Sequence, residues 1–240
     1  MSIPAPAQPV RSPLGGLATY FTVLYAPRAA FERLSRIPTW GWAAIVGIIL
    51  VLISLILTMP AQVHMASVLQ QQRLSDMSAD QRAAAQSSLQ AAAGITKTFI
   101  YAAALVGPWI AWFITALFFL IPAAIGGGDA KFARAWVAAL NSFVVWGVAG
   151  VVNAIIVSLR DPNTINAPAD ISMLPSLALF VHGNPKLAAF LFSYNLLYIW
   201  YYVVAVIALE IMLRVPRRFA VGFVIIYSLF WALIAMVTAR

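Results

Sequence analysis

The stretch Ile45–Leu57, IVGIILVLISLIL, decides the fold because it carries no charged residue and no proline. A soluble protein would have to cover such a segment on every side. A helix gains ~1.5 Å per residue, so about 20 apolar residues match the ~30 Å hydrocarbon core of a bilayer. The apolar stretch extends from Trp40 to Met59. It therefore predicts a helix that crosses a membrane.

Four further stretches have a similar length and composition: Thr98–Ile121, Arg134–Ser158, Leu187–Leu213 and Phe219–Ala239. The mean hydropathy of the chain is +0.91 and only 9% of its residues are charged, whereas about 25% are charged in an ordinary soluble domain. The sequence thus predicts an all-α, polytopic membrane protein. Its single membrane domain, residues 20–240, should be a bundle of five transmembrane helices.

The residues before the first span divide into two parts. Residues 1–19 include a proline-rich start, MSIPAPAQPVRSP, and are predicted to form a disordered tail. In Tyr20–Arg36, Pro27 suits the first position of a helix, and Phe31 and Leu34 share one face. We expect an interfacial helix that lies on the cytoplasmic headgroups. A plain juxtamembrane anchor is the alternative.

Two connections have a distinctive composition. The external loop Pro60–Lys97 is rich in Gln, Ala and Ser and is predicted to be helical. Ser78 and Gln81 have the spacing of a capping box, so we expect two helices that break near Met77–Ser78. These helices would either extend the first two spans or lie beside them. The cytoplasmic turn Gly126–Gly128 lacks the Lys-Ser/Thr of a phosphate-binding loop. Its glycines are interpreted as a source of flexibility.

Lys and Arg are unevenly divided between the two sides of the predicted membrane. Nine of the 15 lie before the first span, between the second and third spans, or between the fourth and fifth spans. Basic residues in short connections mark the cytoplasmic side. The N-terminus is therefore expected in the cytoplasm and the C-terminus outside.

The sequence argues against catalysis and against nucleic-acid binding. It contains no cysteine, and its two histidines are His64 and His182. No span carries a serine–histidine pair, paired aspartates or a zinc motif, so we expect no catalytic residue, no cofactor and no metal ligand. The net charge of +8 is spread over loops and span ends, where Lys and Arg contact lipid headgroups. No nucleic-acid partner is therefore expected.

Few polar side chains fall inside the predicted spans. Asn141, Asn153 and Asn195 are candidates for hydrogen bonds between helices. Glu210 lies one helical turn before Arg214, which is the spacing of an ion pair on one helix face. We interpret all five as structural, and a polar transport path is the alternative.

Small residues four positions apart form two stripes in the spans. Such stripes let helix backbones approach closely in lipid, where the hydrophobic effect does not drive helices together. Ala103, Gly107 and Ala111 form one stripe in the second span, and Gly150 with Ala154 repeats it in the third. The stripes indicate helix packing, either within the fold or against a partner.

Aromatic residues are concentrated in the fourth span: Tyr194, Tyr198, Trp200, Tyr201 and Tyr202. Tyr and Trp are enriched where a span meets the lipid headgroups. The cluster therefore predicts an aromatic belt on the outer half of this span.

Three segments together resemble a known family. Ala26–Leu34 has the pattern small-P-x-x-x-F-x-x-L, and Gly126–Trp136 contains a G-x-x-x-F entry to the third span. Leu187–Leu213 is followed by the basic-small turn Arg217–Ala220. These segments resemble the Yip family, the Rab/Ypt-interacting multi-pass membrane proteins, in its bacterial branch.

The resemblance covers residues 20–240, although the family's F-x-x-W is half kept, with Leu197 before Trp200. It implies five spans, a cytoplasmic N-terminus and an external C-terminus. It also implies a bacterial inner (plasma) membrane, or early secretory pathway membranes in a eukaryote. Eukaryotic members associated with Rab proteins carry a long N-terminal cytosolic region, so we do not extend the Rab partner to this chain.

The sequence therefore favours a membrane organiser or adaptor that acts through helix–helix association, without catalysis. Its partners would be the lipid bilayer and either other membrane proteins or further copies of itself. A small permease or channel, alone or as an oligomer, is the alternative. That alternative would need polar residues from several spans to converge.

The uneven charge distribution predicts the topology. Reporter domains fused after Arg36, Lys131 or Arg218 should be cytoplasmic, and those fused after Gln86, Pro168 or Arg240 should be external. Reporter activity on each side of the membrane checks the assignment. An externally active reporter at Lys131 would refute it.

Overall fold

A computed structural model describes residues 15–75, 77–166, 168–171, 174–181 and 183–239, and this part of the chain is all-helical. Its α-helices are α1 (Gly15–Thr22), α2 (Pro27–Arg36), α3 (Gly41–Ser75), α4 (Ala79–Ile125), α5 (Phe132–Ser158), α6 (Pro185–Phe192), α7 (Leu196–Met212) and α8 (Arg217–Thr238). Three short 3-10 helices, Pro162–Thr164, Pro168–Ile171 and Leu177–Phe180, lie between α5 and α6.

Four helices of the described chain are long and apolar enough to cross a bilayer: α3, the Phe99–Ile125 part of α4, α5 and α8. The fourth predicted span, Leu187–Leu213, is not one continuous helix. Asn195 interrupts it, because its Oδ1 accepts from the Tyr198 N–H at 2.9 Å and its Nδ2 donates to the Phe192 carbonyl at 3.2 Å. A new helix, α7, therefore begins at Leu196. Its 17 residues give about 25 Å, which is shorter than the ~30 Å core.

Helix α5 is the centre of the bundle. In the most apolar 18 residues of α5, 44% are buried within the protein, whereas 22–28% are buried in the corresponding stretches of the other three long helices. Its neighbours α3, α4 and α7 pack around it. The ring pairs Phe143–Tyr201 and Trp146–Tyr198 show that α7 runs antiparallel to α5.

The tightest helix contact is between α3 and α5, which run parallel. A Cβ added to Gly147 would lie 2.8 Å from Leu50 Cδ1, and one added to Gly150 would lie 3.2 Å from Ser54 Oγ. The Ser54 hydroxyl is itself held by the Leu50 carbonyl at 2.8 Å. Gly150 thus has the packing position that its stripe indicates, and the glycines set the distance between the two helices.

The N-terminal helices are packed into the bundle rather than laid on lipid. Tyr20, Phe31 and Leu34 have no exposed surface, and the Trp200 indole N–H donates to the Leu24 carbonyl at 3.0 Å. Helix α2 begins at Pro27 as predicted. However, its apolar face is covered by protein, mainly α7, so Phe31 and Leu34 are not available to lipid.

The predicted boundary of the N-terminal tail also needs correction. Residues 15–19, assigned to the tail, form most of α1, and Thr19 and Tyr20 are buried there. The Thr19 hydroxyl donates to the Gly15 carbonyl at 2.7 Å. The expected disorder of residues 1–14 falls outside the described residues.

The predicted helical extension of the first two spans is confirmed. Helix α3 ends at Ser75 and α4 begins at Ala79. The Ser78 N–H donates to Gln81 Oε1 at 3.1 Å, which is the return bond of the predicted capping box. The two spans are therefore joined through one sharp turn.

Gly150→Leu should destabilise the protein by about 1–3 kcal/mol, because the added side chain has to push α3 away from α5. Gly222→Leu is the matched control, since a Cβ built there has no atom within 4 Å. Unfolding of the two variants in detergent measures the difference. Equal free energies of unfolding for the two variants would show that close packing of α3 on α5 at Gly150 does not contribute to stability.

Candidate functional site

Glu210, in the last turn of α7, forms ion pairs that join three helices. Its Oε2 lies 3.3 Å from Arg28 Nη2 of α2, and its Oε1 lies 3.6 Å from Arg217 Nε of α8. The carboxylate side chain is 14% exposed, against 62% for Arg28 and 82% for Arg217. The Glu210 carboxylate is therefore the buried part of this cluster. The two arginine side chains extend toward solvent or headgroups.

The predicted pair between Glu210 and Arg214 is wrong. The ion pairs that the structure gives Glu210 are with Arg28 and Arg217. Helix α7 ends at Met212, and Arg214 is exposed with a φ of +55°. The one-turn spacing places two side chains on one face only while the helix continues, so it does not apply across this helix end.

The glycine turn after α4 packs against the turn after α7. A Cβ on Gly128 would overlap the Leu213 carbonyl oxygen, and Gly127 has a φ of +74°, which favours glycine. The Asp129 N–H donates to the same Leu213 carbonyl at 2.6 Å. The glycines therefore permit close contact between two turns, and the interpretation as a source of flexibility is replaced.

Asp129 and Arg134 reinforce this contact between turns. Asp129 Oδ2 lies 3.2 Å from Arg134 Nη1, and the same Nη1 donates to the Met212 carbonyl at 3.4 Å. Lys131 Nζ lies 3.6 Å from Asp129 Oδ1. This end of the bundle is therefore closed by hydrogen bonds and ion pairs, while its apolar middle relies on packing.

The three predicted asparagines make contacts that hold the fold together. Asn141 Nδ2 donates to the Thr39 carbonyl at 3.1 Å and so connects α5 to the start of α3. Asn153 Nδ2 donates to the Ile171 carbonyl at 2.9 Å and holds the connection after α5. Asn195 caps α7. These amides bind backbone, so they do not converge on a shared polar path.

The second-span stripe lies on a part of α4 that the rest of the fold leaves open. Ala103 is exposed and Ala111 is half-buried. A Cβ added to Gly107 would have no atom within 4 Å. In this respect the stripe differs from Gly150, whose space is filled by α3.

A cavity of about 490 Å³ lies between α4, α5, α7 and α8. On one side it is lined by the α4 residues Gly107, Ile110, Ala111, Ile114 and Thr115. The opposite side carries four phenols, Tyr198, Tyr201, Tyr202 and Tyr227. The cavity is therefore lined mainly by apolar and aromatic side chains.

Several side chains of the predicted aromatic belt contact other parts of the protein, and their level relative to the lipid headgroups stays a prediction. Tyr201 is only 3% exposed, and Tyr198 and Tyr202 line the cavity. Trp200 binds the Leu24 carbonyl.

Comparison with known proteins gives one match. A family model described as the Yip1 domain matches residues 21–239. The match begins within α1 and ends just after α8, so it includes α2 and the broken α6–α7 segment. No curated protein and no solved structure matches the chain.

Glu210→Gln should lower the free energy of unfolding by about 1 kcal/mol or less, because both of its cations are mostly exposed. Arg214→Gln should have almost no effect, and it is the matched control. A double-mutant cycle with Arg28→Gln measures the coupling. Coupling of Glu210 to Arg214 instead of Arg28 would contradict the observed pairing.

Proposed function

The chain belongs to the Yip1 domain family, and we propose that this integral membrane protein is a non-catalytic organiser or adaptor. In this proposal it associates with other membrane helices, from partner proteins or from further copies of itself, through the small-residue face of α4. Its multi-pass character rests on the family match and on its long apolar helices.

The observation that carries the proposal is the contrast between glycines. Within the fold, Gly47 faces Trp112 at 2.8 Å, and Gly147 and Gly150 face α3 at 2.8 and 3.2 Å from the added Cβ. Those glycines are used for internal packing. Gly107 has the same position in a small-residue stripe, but it has no neighbour within 4 Å and borders the cavity between α4, α5, α7 and α8. In this proposal a helix from outside packs over that opening.

Small residues matter here because lipid does not distinguish between apolar side chains. Exposed Leu, Ile and Phe side chains on α4 pack as well against acyl chains as against another helix. A small-residue stripe instead allows two backbones to come close and gain dispersion contacts. The stripe of Ala103 and Gly107 therefore favours a helix over lipid, whereas the bulky exposed faces of α4 favour neither.

The proposed arrangement in the membrane has five crossings, with α6 and α7 together as the broken fourth. The antiparallel packing of α7 on α5, with Arg134 at the Met212 carbonyl and Trp146 on Tyr198, supports a crossing there. With the charge distribution, this gives a cytoplasmic N-terminus and an external C-terminus. The inner membrane of a bacterium is the proposed location.

A small permease or channel is the second candidate, and the cavity favours it. The cavity borders four helices and carries hydroxyl groups, which a solute could use. Among the described residues, however, its lining has no charged side chain. Ion or proton coupling through it would therefore need groups from elsewhere.

A photoreactive residue at Ala103 should give discrete crosslinked protein bands in the native membrane, because that position faces the proposed partner helix. Ala102 is the matched control: it is also exposed but lies about 100° further around the helix. Immunoblotting detects the adducts. Ala103→Leu should weaken the association by blocking backbone approach. If positions 102 and 103 crosslink alike, or only to lipid, the proposed face is wrong.

A further inference from the structure

Four arginines meet at the end of the bundle where α2 begins, α7 ends and α8 begins: Arg28, Arg214, Arg217 and Arg218. Three of them lie within five residues, in the turn between α7 and α8 and the first turn of α8. Arg28 joins them because it shares the Glu210 carboxylate with Arg217. All four residues are exposed. We call this surface the arginine patch.

The arginine patch carries more positive charge than the fold neutralises. Glu210 pairs with two of the arginines at once, and both of those side chains stay mostly exposed. Among the residues that the structure describes, Arg214 and Arg218 have no acidic partner. Like charges held close together repel each other unless an anion lies among them. The patch therefore favours an anionic ligand.

Asp129 does not supply the missing negative charge. Its N–H binds the Leu213 carbonyl at the edge of the arginine patch. Its carboxylate, however, is ion-paired with Arg134 at 3.2 Å and with Lys131 at 3.6 Å. Because this acid already serves two other cations, the anion for the patch has to come from outside the described chain.

The backbone of Arg214 is unusual for an arginine. Residue 214 follows the end of α7 with a φ of +55°, which is the left-handed conformation that glycine commonly takes after a helix. A side chain makes that conformation costly because its Cβ crowds the backbone. Side chains kept in strained positions are found at functional sites. A role in anion binding accounts for an arginine at this position.

Apolar surface continues directly from the arginine patch. The Arg218 guanidinium lies 5.1 Å from the centre of the Phe219 ring. A Cβ added to Gly126 would lie 3.3 Å from that ring, so Phe219 lies beside the end of α4, where Ile125 is 74% exposed. Since α8 is long and apolar enough to cross a bilayer, its first turn would lie at the level of the headgroups. An anion with an attached apolar chain therefore fits this surface better than a free anion.

We propose that the arginine patch binds an anionic phospholipid, with its phosphate among the arginines and one acyl chain along Phe219 and Ile125. Guanidinium groups bind phosphate oxygens through paired, charge-assisted hydrogen bonds. Phosphatidylglycerol presents its negative charge without a cation, whereas the ammonium of phosphatidylethanolamine would be repelled by the arginines. The site is separate from the proposed partner-helix face, because Ile125 lies about 33 Å along α4 from Ala103.

The experiment uses the full-length protein in phosphatidylcholine liposomes that contain a phosphatidylglycerol with a photoreactive diazirine near the ester end of one acyl chain. Mass spectrometry locates the labelled peptides. Labelling should be saturable and concentrated in the peptides that contain Phe219 or Ile125. Unlabelled phosphatidylglycerol should compete about tenfold better than phosphatidylethanolamine with the same chains. Equal competition by the two lipids, or even labelling of all lipid-facing helices, would overturn the proposal.

Glycerophosphoglycerol, the same headgroup without acyl chains, distinguishes a lipid site from a site for a free anion. It should displace the probe only weakly, because it lacks the chain that contacts Phe219 and Ile125. Added salt should weaken probe binding, since exposed charge pairs are screened. Displacement by glycerophosphoglycerol as effective as that by the intact lipid, or labelling that salt does not change, would overturn the assignment.

Paired substitutions identify the binding groups. Arg214→Gln combined with Arg218→Gln should weaken probe binding about tenfold, and it should leave the fold intact because neither side chain has an ion pair in the described chain. Lysine at both positions keeps the charge and should retain most of the binding. The matched control, Arg73→Gln with Lys186→Gln, removes two exposed charges from the opposite end of the bundle. Wild-type labelling in the paired Gln variant, or an equal loss in the control, would overturn the proposal.

Discussion

The close contact between α3 and α5 is the constraint on which the rest of the structure depends. In a bilayer, apolar side chains gain little by moving from lipid to protein, so helices hold together where their backbones come close. Gly147 and Gly150 provide that approach against Leu50 and Ser54. Once α5 is fixed against α3, its remaining faces are available to α4 and α7, and the bundle forms around it.

The end of the bundle where α2, α7 and α8 meet is held by different forces. Glu210 connects α2, α7 and α8 through two arginines, and the Leu213 carbonyl accepts from the Asp129 N–H of the neighbouring turn. These polar contacts are partly exposed, so each one contributes modestly. Their effect is to fix the order of the helices, while the packed middle supplies most of the stability.

The sequence predicted the long helices well because about 20 apolar residues have few structural options in lipid. The break at Met77–Ser78 and the start of α2 at Pro27 followed from local rules of helix ends. Contacts distant in sequence could not be found that way. Hydropathy does not show that Asn195 restarts a helix, that Arg28 rather than Arg214 pairs with Glu210, or that tyrosines of α7 face inward. Each of these depends on which elements become neighbours. The α4 stripe likewise became informative only when the space around Gly107 could be compared with the space around Gly150.

The proposed function lies in contacts between helices within the membrane rather than in transport across it. Solute flux through the purified protein in sealed liposomes tests that claim most directly. We expect ions and small solutes to leak no faster than from protein-free liposomes, at protein densities where the Ala103 face still crosslinks. Saturable, selective uptake by the wild-type protein, lost in a folded Glu210→Gln variant, would contradict it and establish a transporter.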